Sequence, residues 1–175
     1  YFTPRVIAIA GNAIIDGRRA LFKGRAGFPI QALIEDRIPN IPVRLISGNP
    51  LTGTKVNSED HLGFYDTVFT AIPEREGQEF LHFFRAGKDK YSASGAYLSG
   101  HLKNRLYDFT TNQHGEERPF VTPEPYDKVM PLHVNTMLLV KAVMGENYEL
   151  AEQLGLLEVA PEDFALPTFV DPSKI

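Results

Sequence analysis

Arg44-Leu45-Ile46-Ser47-Gly48-Asn49-Pro50-Leu51-Thr52-Gly53-Thr54-Lys55-Val56 runs from an apolar strand through two glycines and a hydroxyl-rich turn to a lysine. Glycine, hydroxyl and lysine together suggest a phosphate cradle. That motif needs four residues between its first glycine and a Gly-Lys-Ser/Thr. Gly48 and Gly53 have the separation, but Thr54 occupies the lysine position and Lys55 follows one residue late. The next segment, Asn57-Ser58-Glu59-Asp60, is polar and does not begin a helix whose N-terminus would hold phosphate. The stretch therefore reads as a strand that turns a corner, with a ligand-facing loop as the alternative.

Upstream, Arg5–Ala10 is an apolar-rich run closed by Gly11-Asn12 and reads as a buried strand. Arg19-Ala20-Leu21-Phe22 is its candidate partner, ended by Lys23-Gly24-Arg25-Ala26-Gly27. Ile30, Leu33 and Ile34 have the spacing of one helical face, Pro29 suits a first turn, and Pro39 and Pro42 stop the helix. Strand, strand, short helix, strand predicts an α+β unit with the helix across one face of a small mixed sheet.

Downstream, Phe64–Ile72 and Glu79–Arg85 read as two strands of a hairpin, joined by the charged, glycine-bearing segment from Pro73 to Gln78. Phe64, Tyr65, Phe69, Phe80, Phe83 and Phe84 would place aromatic surface on both faces, to be covered by the core or by a partner. The last third is helical. Val134, Met137, Leu138, Lys141 and Ala142 share a helical spacing, with Asn135 as cap and Gly145 as stop. Leu150, Leu154 and Leu157 repeat the pattern in a second short helix broken at Gly155, and a further turn starts at Pro161. A β-rich front and a helical end divide near residue 120.

The chain has 175 residues, a formal charge of -4 and no cysteine. The charges are mixed rather than blocked, which argues against a nucleic-acid surface. Without cysteine, thiolate nucleophiles and thiolate-held zinc or iron–sulfur clusters are excluded within this stretch. His61, His82, His101, His114 and His133 are scattered, with no pair at metal-ligand spacing, and no Gly-x-Ser-x-Gly elbow exists. No apolar run approaches the roughly 20 residues that cross a bilayer. Both ends look cut, so a piece of a longer protein is expected.

Four stretches carry a resemblance when taken in order. They are Arg44–Lys55, Leu62-Gly63-Phe64-Tyr65, Tyr126–Leu132, and Pro161–Leu166 with Thr168-Phe169-Val170. Together they resemble the C-terminal part of the A-subunit of the bacterial sodium-translocating NADH:quinone oxidoreductase, over nearly the whole chain. The resemblance implies a soluble-ligand-binding β-grasp domain at residues 1–60, a hairpin and connecting region at 61–120, and a helical domain at 121–175. It implies a peripheral location on the cytoplasmic face of the bacterial inner membrane, within a six-subunit complex. That complex passes electrons from NADH to ubiquinone and exports sodium.

On the same resemblance, the flavins and iron–sulfur centres belong to other subunits, so this segment carries no catalytic, cofactor-binding or metal residue and is inactive alone. The membrane-embedded B-subunit is the implied docking partner, and ubiquinone is an implied ligand. If either is contacted, Ser47, Gly48, Gly53, Thr54 and Lys55 are the candidate residues. A pure scaffold without ligand binding is the alternative, and an enzyme fragment with an acid or histidine set assembled in space is the third reading. The resemblance sets cysteines on each side of Thr168-Phe169-Val170, where this chain has Pro167 and Asp171, and a glycine where it has Ser173.

Overall fold

The computed structural model describes residues 4–74, 84, 86–92, 95–102, 106–111 and 116–174. It divides into two compact units, residues 1–80 with 106–112, and residues 81–105 with 113–175. The first unit carries a five-stranded sheet. Its strands are β1 (Pro4–Ala10), β2 (Ala20–Arg25), β3 (Val43–Ser47), β4 (Thr54–Val56) and β5 (Val68–Pro73), in the order β2-β1-β5-β3-β4. β5 runs parallel to β1 and antiparallel to β3, so the last of these five strands in sequence lies at the centre of the sheet. The sheet is mixed, as the sequence predicts.

Alternation sorts its residues. Ile7 and Ile9 of β1, Leu45 of β3, and Phe69 and Ala71 of β5 are buried in one cluster. α1 (Ile30–Ile34) lies against them, with Ile30 and Leu33 fully buried. The helix ends well before Pro39 and Pro42, the stops that the sequence offers. Asp36 adopts a positive φ of 55°, and the Arg37 guanidinium donates to the carbonyl oxygens of Ala32, Leu33 and Glu35 at 3.2–3.4 Å. Capping the last carbonyls in this way closes the helix from its own C-terminal end.

β2 is longer than expected, continuing through Lys23 and Gly24 to Arg25. The glycine does not break the strand, because its missing side chain is where Phe28 and Ile7 pack. A Cβ there would stand 2.9 Å from Phe28 Cδ2 and 3.0 Å from Ile7 Cδ1. β5 is shorter than expected. Only Val68–Pro73 is strand, while Phe64 and Tyr65 lie in a turn in which the Asp66 N–H donates to the Gly63 carbonyl at 3.0 Å. Of the expected hairpin's second strand, Phe80 and Phe83 fall outside the described residues, and the described Phe84 is exposed.

The second unit is built of short helices: α2 (Glu124–Asp127), α3 (Thr136–Met144), α4 (Tyr148–Gln153) and α5 (Ala165–Val170). Its ends follow the capping rules read from sequence. The Asn135 side chain accepts from the Leu138 N–H at 3.1 Å, and the Gly145 N–H closes on the Lys141 carbonyl at 2.9 Å. Gly155 takes a left-handed φ of 95° after α4, as a helix-ending glycine does. Leu139, Ala142 and Ala151 form the centre of this unit, with Leu154, Leu156, Val159 and Phe164 around them.

Replacing Phe69 by alanine opens a cavity where β5 meets the sheet's buried face. Phe69→Ala is expected to lower unfolding free energy by about 3–5 kcal/mol in urea titrations. A loss below about 1 kcal/mol would contradict the central placement of β5.

Candidate functional site

β3 and β4 form a hairpin in register, with Leu45 opposite Val56 and Ser47 opposite Thr54. β4 escapes a sequence reading because it is only three residues long and merges with the turn. Its alternating Thr54 and Val56 are the available signal. The turn between the strands is closed by Asn49. Its Oδ1 accepts the N–H groups of Leu51 and Thr52 at 2.8 and 3.0 Å, its Nδ2 donates to Thr52 Oγ1 at 2.7 Å, and its carbonyl accepts the Gly53 N–H at 2.8 Å. This is an asparagine-nucleated turn.

Both glycines are required by geometry. Gly48 holds a φ of 99°, and a Cβ on Gly53 would stand 2.5 Å from the Asn49 carbonyl oxygen and 2.6 Å from the Ser47 carbonyl oxygen. The turn is also tied to the segment entering β5. Ser47 is buried; its hydroxyl donates to Asp66 Oδ2 at 2.5 Å and accepts the Gly63 N–H at 2.8 Å. The Gly48 N–H donates to the Val68 carbonyl at 2.8 Å, and Thr70 Oγ1 donates to the Gly48 carbonyl at 2.8 Å.

The candidate residues thus divide. The Ser47 side chain faces inward, and the Gly48 and Gly53 N–H groups donate to carbonyls of the protein itself. Thr54 and Lys55 are exposed, as are Asn49, Leu51 and Thr52. Lys55 Nζ lies 3.9 Å from Glu74 Oε1, which also receives Arg44. The Arg44 fork donates to both Glu74 oxygens at 2.9 and 2.6 Å, and this bond holds the Glu74 carboxyl below the usual carboxylate range. One residue before Asp66, Tyr65 meets Phe64 edge-on at 5.0 Å, and both rings are exposed. Arg5 sits 4.9 Å over the Phe64 ring and donates to its carbonyl. The side chains of this exposed aromatic pair spell strand in the sequence, and only the turn at Gly63 hints otherwise.

The hairpin end presents Asn49, Leu51, Thr52, Thr54 and Lys55 as exposed side chains on a turn held by these bonds, and its hydroxyl–carboxylate pair, Ser47–Asp66, starts from a buried serine. An open cavity of about 500 Å³ lies elsewhere in the first unit, lined by Gly17, Arg18, Ala20, Ala32, Glu35, Asp36 and Arg37. Among the described residues no group of three His, Asp or Glu is placed to hold a metal ion. His82 and His114 fall outside those residues. In the second unit, Asp171 Oδ1 accepts Tyr126 Oη at 2.5 Å, the Ser173 N–H at 2.7 Å and Ser173 Oγ at 2.6 Å. Tyr126 and Ser173 are buried, and burial first, then Asp171, pushes the Tyr126 phenol up to about 12. Asp171 and Ser173, two places where the resemblance expects other residues, thus form a polar clasp with Tyr126.

Ser47→Ala leaves the Gly63 N–H and Asp66 without their partner and is expected to cost about 1–3 kcal/mol in urea unfolding. Gly53→Ala forces the backbone of the turn to move and is expected to cost about 1–3 kcal/mol. The Tyr126 phenol titrates higher folded than at its ordinary 10.0, so the fold favours its neutral form. The stability it contributes is complete below pH 10 and is lost as pH rises towards about 12. Tyr126→Phe is expected to flatten that part of a stability-versus-pH curve.

Residues 6–58 match the family model described as the NQRA C-terminal domain. Across 99% of its length the chain is 42% identical to the A-subunit of the Na(+)-translocating NADH-quinone reductase of Chlamydia muridarum. The corresponding figures are 41% identity over 97% for Chlamydia caviae and 37% over 98% for Rhodopirellula baltica. The chain spans only 37–38% of the length of these relatives. The match to the domain model covers the sheet up to β4, with α1 and the hairpin turn, and the matches to the relatives continue through the helical unit. The chain belongs to the family of the A-subunit of Na(+)-translocating NADH-quinone reductase, in the region that includes its C-terminal domain.

Proposed function

We propose that this chain is a peripheral, non-redox part of a sodium-translocating NADH:quinone reductase, supporting electron transfer from NADH to ubiquinone coupled to sodium export. The first unit is the β-grasp ligand-binding module of that reductase's A-subunit, and the flavins and iron–sulfur centres lie in other subunits. The protein docks on the membrane-embedded B-subunit at the cytoplasmic face of the bacterial inner membrane. The longer relatives and their shared name support this reading. Among the described residues, no helix is long and apolar enough to cross a membrane.

Contact with ubiquinone or the B-subunit is made at the Asn49–Lys55 turn, with Thr54 and Lys55 facing outward beside Leu51. The observation that carries this assignment is the turn's rigidity. Ser47, Gly48 and Gly53 are fully engaged inside the fold, so the exposed side chains are presented from a fixed frame. A preorganised surface loses little freedom on binding. The 500 Å³ cavity is a poorer ubiquinone site, because Arg18, Glu35, Asp36 and Arg37 line it and quinone pockets need apolar walls. The exposed turn also fits a scaffold that binds the B-subunit alone.

Photolabelling of the intact complex with an azido-quinone separates these readings. Label on the peptide spanning Asn49–Lys55 is expected, with a reduction when Lys55 is replaced by alanine. Label absent from this segment, with the B-subunit cross-linked to a cysteine placed at Thr54, would leave docking alone. Failure of both would overturn the assignment of the turn. NADH or quinone turnover by the isolated chain would overturn the non-redox reading.

A further inference from the structure

We infer that the Asp16–Gly17 turn is a site of spontaneous backbone modification, where aspartate isomerises to isoaspartate through a cyclic imide. This chemistry needs a carboxyl free to approach the next backbone nitrogen, that nitrogen free of its own hydrogen bond, and no side chain beside it. The connection between β1 and β2 supplies all three. Asp16 and Gly17 are both exposed. Among the described residues, the Asp16 carboxylate has no hydrogen-bond or ion-pair partner, and the Gly17 N–H donates to no acceptor. Gly17 has a φ of 79°, and a Cβ placed on it would meet no atom within 4 Å, so packing does not clamp the residue.

Other acidic and amide residues lack one of these conditions. The Asp66 carboxylate accepts the Ser47 hydroxyl at 2.5 Å. Asp36 is exposed, but the nitrogen after it, that of Arg37, donates to the Ile34 carbonyl at 3.0 Å. Asp171 precedes Pro172, which has no N–H to lose. Asn57 is followed by Ser58, whose side chain stands beside the attacking nitrogen. Within Ile15–Arg18, one backbone bond closes the turn, from the Arg18 N–H to the Ile15 carbonyl at 3.0 Å. Such a turn opens without disturbing the sheet, whose nearest β1–β2 pair is Ile9 with Ala20.

Starting from the carboxylic acid form, the Gly17 nitrogen attacks Asp16 Cγ. The N–Cγ bond forms, the Cγ–OH bond breaks, and the nitrogen's proton leaves with that hydroxyl as water. Hydrolysis of the imide returns the water. Attack at Cγ restores aspartate, whereas attack at the main-chain carbonyl carbon routes the chain through Cβ and Cγ and leaves the α-carboxylate as the side group. The mass is unchanged, but the turn gains one backbone atom. The Arg18–Ile15 bond is then lost, and Arg18 shifts within the cavity that it lines with Glu35 and Asp36.

The test ages the full chain in warm neutral buffer made with heavy-oxygen water, then maps its peptides by mass spectrometry. A new form of the Asp16–Gly17 peptide is expected, carrying one heavy oxygen and accepting a methyl group from an isoaspartyl methyltransferase. In the modified chain the Arg18 amide is expected to lose its exchange protection, while Ala20–Arg25 keeps its own. The folded chain is expected to react within about tenfold of the urea-unfolded chain. A folded rate slower than that, equivalent to more than about 1.4 kcal/mol of restraint, would overturn the inference. So would a methyl-accepting signal that persists in Asp16→Glu, whose longer side chain cannot close the five-membered imide.

Discussion

The bond between the Ser47 hydroxyl and the Asp66 carboxylate ties the two ends of the first unit's architecture together. Ser47 ends β3, and Asp66 belongs to the segment that leads into β5. A strand arriving last in sequence must find the centre of a sheet whose other members are already near one another. The closure of that long loop costs entropy, which the buried contacts of Phe69 and Ala71 offset. The Ser47 link, with Gly63 on the other side of the hydroxyl, sets where β5 enters. Gly48 and Thr70 then continue the pairing, and the turn that follows Gly48 inherits their rigidity.

This dependence explains what the sequence disclosed and what it did not. The helical spacing of Ile30, Leu33 and Ile34, and the caps at Asn135 and Gly145, are local signals, and the structure follows them. The α+β class was legible for the same reason. The extent of β2 was not, because Gly24 reads as a strand breaker until Phe28 and Ile7 are seen to occupy its missing side chain. Nor was the start of β5, since Phe64 and Tyr65 have strand-forming side chains but follow a glycine committed to Ser47 sixteen residues earlier. The inward direction of Ser47 is equally non-local. No spacing within Arg44–Val56 announces Asp66.

The same long-range bonds shape the functional reading. A hydroxyl, two glycines and a lysine in one turn suggest a ligand cradle, yet the hydroxyl and the glycine amides are spent on the fold. What is left for recognition is side chains: Leu51, Thr54 and Lys55, with Lys55 drawn towards the Arg44–Glu74 pair. The exposed Phe64–Tyr65 pair, braced by Arg5, adds an aromatic element on the segment that ends at Asp66. These exposed side chains are the ones that the proposed docking role would use, in a family whose members are named as one subunit of a larger reductase.

Native-state hydrogen exchange tests the central claim most directly, read at the amides of Gly48, Gly53 and Gly63. If the Ser47–Asp66 link makes the turn part of the cooperative fold, these three amides exchange together, only through openings as costly as those that release Phe69. Exchange of Gly48 and Gly63 at the rate of an unstructured loop, while the Phe69 amide stays protected, would contradict it.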